Sequence, residues 1–98
     1  MEVLVIDSEE LSPLDQVALH NANSSAELIL QLIAVREAAG LTQAQVGARM
    51  GVSQPSIASF EAYYNDPKLS TIKRYALAVG AKITFEVEGH PELGNAEN

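Results

Sequence analysis

The sequence has no cysteine, which excludes a disulfide, a thiol nucleophile and a cysteine-ligated metal. It also lacks any apolar run near the roughly 20 residues that span a bilayer. Residues 1–20 are acidic and have no basic segment leading into a long apolar stretch. No secretory signal is therefore expected, and the chain reads as soluble and cytoplasmic, with no membrane partner. There is no glycine-rich phosphate loop and no serine, histidine and aspartate set with workable spacing. His20 and His90 have no ligand partners near them, so neither a metal nor a cofactor is expected. Catalysis is not expected either.

Basic residues are scarce. Six Lys and Arg face thirteen Asp and Glu in 98 residues, a formal net charge of -7. Their distribution matters more than their sum. Residues 1–25 hold Glu2, Asp7, Glu9, Glu10 and Asp15 and no base. All six bases (Arg36, Arg49, Lys68, Lys73, Arg74 and Lys82) fall within residues 26–82, which are net +2. Residues 83–98 add four Glu and no base. Asymmetry of this kind speaks of partners rather than of fold. A mildly basic middle suits phosphates, and an acidic arm suits a basic protein.

The length fits one small domain with short extensions. Four parts are expected: an acidic strand and short-helix extension over 1–25, a helical domain over 26–81, a strand over 82–89 and a frayed tail over 90–98. "MEVLVID" is rich in β-branched residues and reads as a strand. Ser12 as N-cap with Pro13 at the first helical position predicts a short helix to about His20. "NANSS" reads as a break. Ser24 and Glu27 form a capping box that starts a helix bearing Leu28, Ile29, Leu32, Ile33 and Val35, ended by Gly40.

Thr42 and Gln45 form a second capping box, with Leu41 and Val46 at hydrophobic-staple positions. Gly51 ends that short helix. Ser53 caps the next, which carries Pro55 in its first turn and runs to about Glu61 or Tyr63. Ser70 is placed as the cap of a fourth helix bearing Ile72, Tyr75, Ala76 and Val79. "KITFEVEG" alternates, with Ile83, Phe85 and Val87 on one face, as a half-buried strand does.

Two short helices joined at Gly51-Val52 have helix-turn-helix geometry, in which the second helix enters the major groove of DNA. Gly47 sits inside the first of them at a cost of ~1 kcal/mol relative to Ala, which calls for close approach of the two helices. Val46, Val52, Ile57 and Phe60 fill the space between them. Gln54, Ser56 and Ser59 face outward from the second helix, where Gln matches adenine and Ser matches several base edges. The Pro55 ring suits a thymine methyl. Gln43 and Ser53 offer phosphate donors, helix N-termini attract anions, and Arg49, Lys68 and Lys73 add charge.

"REAAGLTQAQVGARMGVSQPSIASFE" resembles the Cro/repressor type of helix-turn-helix, the Xre family, and "DPKLSTIKRYALAVGAKITFEVE" resembles the end of HigA-like antitoxins. The resemblance covers roughly residues 26–88. It implies a mainly α fold, a lambda-repressor-like bundle of four to five helices with a short β element at the termini. It further implies that Gln43 bonds phosphate, that Gln54, Pro55 and Ser59 face bases, and that Arg36 and Glu61 form a structural ion pair. The family often has Gly soon after its Glu61-like residue, where this chain has "AYYNDPK".

A lone strand needs a partner. Ile83, Phe85 and Val87 are therefore the expected dimer contact, pairing within a subunit with the first strand or across a two-fold axis. The implied function is a repressor that binds a palindromic double-stranded operator as a homodimer. By the resemblance it is an antitoxin that neutralises an RNA-cleaving toxin and represses its own operon. A stand-alone phage-type or restriction-control regulator, and an interaction module without DNA binding, are the alternatives the residues leave open.

Overall fold

A computed structural model describes residues 11–63 and 66–91. Among them the chain forms four helices: α1 (Pro13–Ala38), α2 (Gln43–Met50), α3 (Gln54–Ala62) and α4 (Leu69–Val79). The mainly α architecture matches expectation. The strand expected at 1–7 lies outside the described residues.

The short first helix and the break after it do not exist as such. Residues 13–38 form one helix of 26 residues, about 39 Å long at 1.5 Å per residue. Its start is as expected: the Ser12 side chain accepts from the Asp15 amide at 3.1 Å, and Pro13 follows. "NANSS" contains neither Gly nor Pro, and Asn or Ser in a helix costs well under ~1 kcal/mol each. A helix already nucleated on both sides runs through such a stretch. Ser24 and Glu27 therefore lie in the helix interior and form no capping box. The neighbouring Ser25 hydroxyl donates back to the Asn21 carbonyl at 3.2 Å, the way a serine is accommodated mid-helix.

The start of α2 is as expected. Thr42 accepts from the Gln45 amide, and the Gln45 side chain accepts from the Thr42 amide at 2.8 Å. Gly51, at φ 72, takes the left-handed turn that L side chains avoid. Ser53 caps α3. α3 ends on Tyr63 at φ 56, the one non-glycine with positive φ among the described residues, which is where a Gly would sit without strain. α4 begins earlier than expected. Lys68 is its N-cap, with no side-chain cap bond, so Ser70 is a helical residue.

The core is small and draws on all four helices: Ile29 and Leu32 from α1, Val46 from α2, Ile57 from α3, and Tyr75, Ala76, Ala78 and Val79 from α4. The Phe60 ring stacks on Tyr75 with centroids 4.6 Å apart. A Cβ on Gly47 would stand 2.7 Å from the Val52 carbonyl oxygen. The close approach inferred from that glycine is thus real, but the neighbour is the backbone of the turn rather than the body of α3.

Among the described residues there is no strand. Over 81–90 the chain has no regular structure. Ile83 packs against the core, whereas Phe85 is 54% and Val87 96% exposed. The alternating pattern needs a hydrogen-bonded neighbour to become a strand, and among the described residues none pairs with it.

Candidate nucleic-acid interface

α2 and α3 lie against each other with the Gly51-Val52 turn between them, and α1 and α4 support them from behind. This arrangement leaves Gln54, Pro55 and Ser56 exposed in the first turn of α3, with Ser59 one turn on and half-buried.

The glutamines eleven residues apart meet. Gln54 Nε2 donates to Gln43 Oε1 at 2.7 Å. Gln43 Nε2 in turn donates to Glu61 Oε1 at 3.0 Å. Ser53 and Ser56 meet through their hydroxyls at 2.9 Å, while Ser53 also accepts from the Ser56 amide at 3.3 Å. These serine hydroxyls are thus already engaged in capping α3.

Behind the glutamines, the ion pair implied for Arg36 and Glu61 is present. Arg36 Nε donates to Glu61 Oε2 at 2.7 Å and Arg36 Nη2 to Glu61 Oε1 at 3.1 Å. The third guanidinium nitrogen donates to the Leu41 carbonyl at 2.8 Å. The Tyr75 hydroxyl adds a bond to Glu61 Oε2 at 2.7 Å. Burial alone would raise the Glu61 pKa. The donors of Arg36, Tyr75 and Gln43, with the Arg36 charge, outweigh burial and leave it below the usual carboxylate range. For Tyr75, burial and the neighbouring carboxylate push the phenol well above its ordinary value. The hydrogen bond to Glu61 raises the Arg36 pKa further, against a smaller loss from burial.

The remaining bases divide. Arg49 Nη1 donates to the Ala78 carbonyl near the end of α4 at 2.8 Å. Arg74 Nη2 donates to the Met50 carbonyl at the end of α2 at 2.7 Å. Each arginine thus satisfies a carbonyl that the other helix leaves open at its C-terminus. Lys68, Lys73 and Lys82 are exposed and form no ion pair among the described residues. Of the three bases expected at phosphates, then, Arg49 already has a partner within the fold, and among the described residues Lys68 and Lys73 have none.

Two participants escaped the sequence reading. Tyr75 was placed only as an apolar position of α4, although a tyrosine at a core position must find a partner for its hydroxyl. Arg74 was given no role, and its place one helix away from an open C-terminus is visible only in three dimensions. Among the described residues, no cluster of His, Asp or Glu is arranged to hold a metal ion, and no helix is long and apolar enough to cross a membrane.

A capped helix, a left-handed glycine turn and a second capped helix with an exposed polar first turn define a helix-turn-helix protein. Residues 32–85 match the family described as Helix-turn-helix, and the chain belongs to that family. Among curated proteins it is similar to "Antitoxin HigA1" of Mycobacterium tuberculosis, in strains CDC 1551 / Oshkosh and ATCC 25618 / H37Rv. The identity is 43% over 70 residues, covering 71% of this chain and 47% of each relative. The chain thus spans about half the length of the curated relatives it matches. No solved structure matches it significantly.

Proposed function

We propose that the chain is a sequence-specific DNA-binding repressor, and the antitoxin of a toxin–antitoxin pair. The observation that carries the DNA-binding part is the exposed Gln54 at the start of α3, held by Gln43 and backed by the part-buried Arg36–Glu61 pair. In a major groove, Gln54, Pro55, Ser56 and Ser59 contact bases. Gln43, Ser53 and the lysines Lys68 and Lys73 hold phosphates. Arg49 joins them only by leaving the Ala78 carbonyl.

The repressor works as a homodimer in the cytoplasm on a palindromic operator, with half-sites about 34 Å apart. Exposed Phe85 and Val87, which alternate with Ile83 along the sequence, support pairing of this segment with that of a second copy. Likeness to an antitoxin supports a toxin as the protein partner. The acidic residues 1–25 form part of the toxin contact. The role is binding rather than catalysis.

A gel shift against its own upstream region tests the first part. Gln54→Ala should weaken specific binding by ~1–3 kcal/mol and leave random DNA nearly unaffected. Equal loss on both would refute base reading. Deleting residues 2–22 should weaken toxin binding more than operator binding. Light scattering that finds a monomer at micromolar concentration would remove the dimer.

A further inference from the structure

We propose that Glu61, which touches no DNA, sets the base preference of Gln54 by fixing which way the amide of Gln43 points. This rests on the DNA-reading function proposed above and deepens it.

The argument is one of donors and acceptors. An ionised carboxylate only accepts hydrogen bonds. Glu61 is held ionised by the Arg36 guanidinium at 2.7 Å and 3.1 Å. The group that Gln43 turns toward it must therefore be the NH₂, as found at 3.0 Å. With the NH₂ turned to Glu61, the carbonyl oxygen at the other end of the Gln43 amide faces Gln54, and a carbonyl oxygen also only accepts. Gln54 must in turn present its NH₂ to Gln43, as found at 2.7 Å. Each amide in the series has its sense dictated by the one behind it, and the series ends on a charge.

At the exposed end, the consequence is a defined face. One N–H of Gln54 is committed to Gln43. Its carbonyl oxygen and its second N–H remain. One acceptor beside one donor complements the N6 amino group and N7 of adenine in the major groove. Guanine displays two acceptors there, O6 and N7, and would need both N–H groups of Gln54. Glu61 is thus a positioning residue for specificity, two side chains removed from the base.

The test compares the duplexes that wild type, Gln54→Ala, Gln43→Lys and Gln43→Leu select from a randomised DNA library. Gln54→Ala identifies the base position that residue reads. Wild type is expected to prefer adenine to guanine there by about tenfold or more, the range of one bidentate contact. A lysine at position 43 only donates. It pairs with Glu61 and forces the Gln54 oxygen inward, so both N–H groups face the groove. The preference at that one position should shift toward guanine by about tenfold or more. Gln43→Leu leaves the bonds of Arg36 and Tyr75 to Glu61 intact and removes the relay, together with a phosphate contact that every duplex shares alike. It should bring adenine and guanine to within about twofold, and it serves if the lysine variant does not fold.

A Gln43 that merely held a phosphate would lower affinity for every duplex alike. An unchanged adenine-to-guanine ratio in either folded variant overturns the inference, as does guanine at the wild-type position. If wild type selects no sequence, or Gln54→Ala relaxes no position, the DNA-reading assignment itself falls and takes the inference with it.

Discussion

Glu61 carries its charge at 7% side-chain exposure, which is tolerable only because its oxygens accept four hydrogen bonds, from Arg36, Gln43 and Tyr75. Removing one partner of this part-buried pair leaves the donors of the other poorly matched. Glu61→Gln should therefore cost about 1–3 kcal/mol in a denaturant titration at neutral pH. The pH dependence has a definite sign. The folded-state pKa is lowered, so this stabilisation is complete above the ordinary value of about 4.3 and is lost as pH falls through the folded value. Thermal melts at decreasing pH should show wild type losing stability in that acid window, and Glu61→Gln losing visibly less. Tyr75 has the opposite sign. Its raised pKa means a contribution that is complete below about pH 10 and lost as pH rises beyond it. In an absorbance titration of the phenols, a late alkaline step should be present in wild type and absent in Tyr75→Phe. At this scale the resemblance supplied the Arg36–Glu61 pair and roles for both glutamines. It did not supply the Gln43–Gln54 bond, because spacing along the chain says nothing of which amide atom faces which. Nor did pattern alone reveal that Arg49 and Arg74 are spent on helix ends.

Helices were legible where capping chemistry marks them. Thr42 with Gln45, Ser53 and the left-handed Gly51 gave α2 and α3 their places, because a cap is a local hydrogen bond written within four residues. The failures were at sites where local signals compete. The polar stretch at 21–25 resembles a turn, yet helix propagation across it costs little. Asn23→Pro tests this. A proline there removes a backbone bond and clashes with the preceding turn. Circular dichroism should lose roughly the helix signal of the residues before it, while the melting temperature hardly moves, because buried Ile29 and Leu32 lie beyond the break. A chain already broken at 21–24 would show no such loss. The Gly47 prediction is the reverse, with little change in helix content and a large change in stability. Ala has higher helix propensity, but its Cβ meets the Val52 carbonyl oxygen at 2.7 Å. Gly47→Ala should destabilise by about 1–3 kcal/mol in chemical denaturation, as overpacking does.

Over the whole molecule, the scarcity of free positive charge becomes a measurable property. Arg36, Arg49 and Arg74 are bound within the fold, which leaves Lys68, Lys73 and Lys82 for phosphates. Each neutralised phosphate contributes about -0.9 to the slope of log affinity against log salt. Binding to the operator should therefore show a slope no steeper than about -3 per chain, read from gel shifts at several salt concentrations. A slope nearer about -4.5 would mean that Arg49 and Arg74 leave their carbonyls when DNA binds. The terminal segments were the least legible part at this scale, because a strand is a property of two segments and the alternation of 82–88 names only one of them.

The Glu61 carboxylate meets Arg36 from α1, Gln43 from α2 and Tyr75 from α4, and it sits on α3 itself. Every helix among the described residues thus converges on a single pair of oxygens, two steps from Gln54. Loosening any one helix disturbs Gln43, and through it the amide of Gln54. Loss of structure and loss of recognition should therefore coincide, with no half-melted form that still finds its sequence.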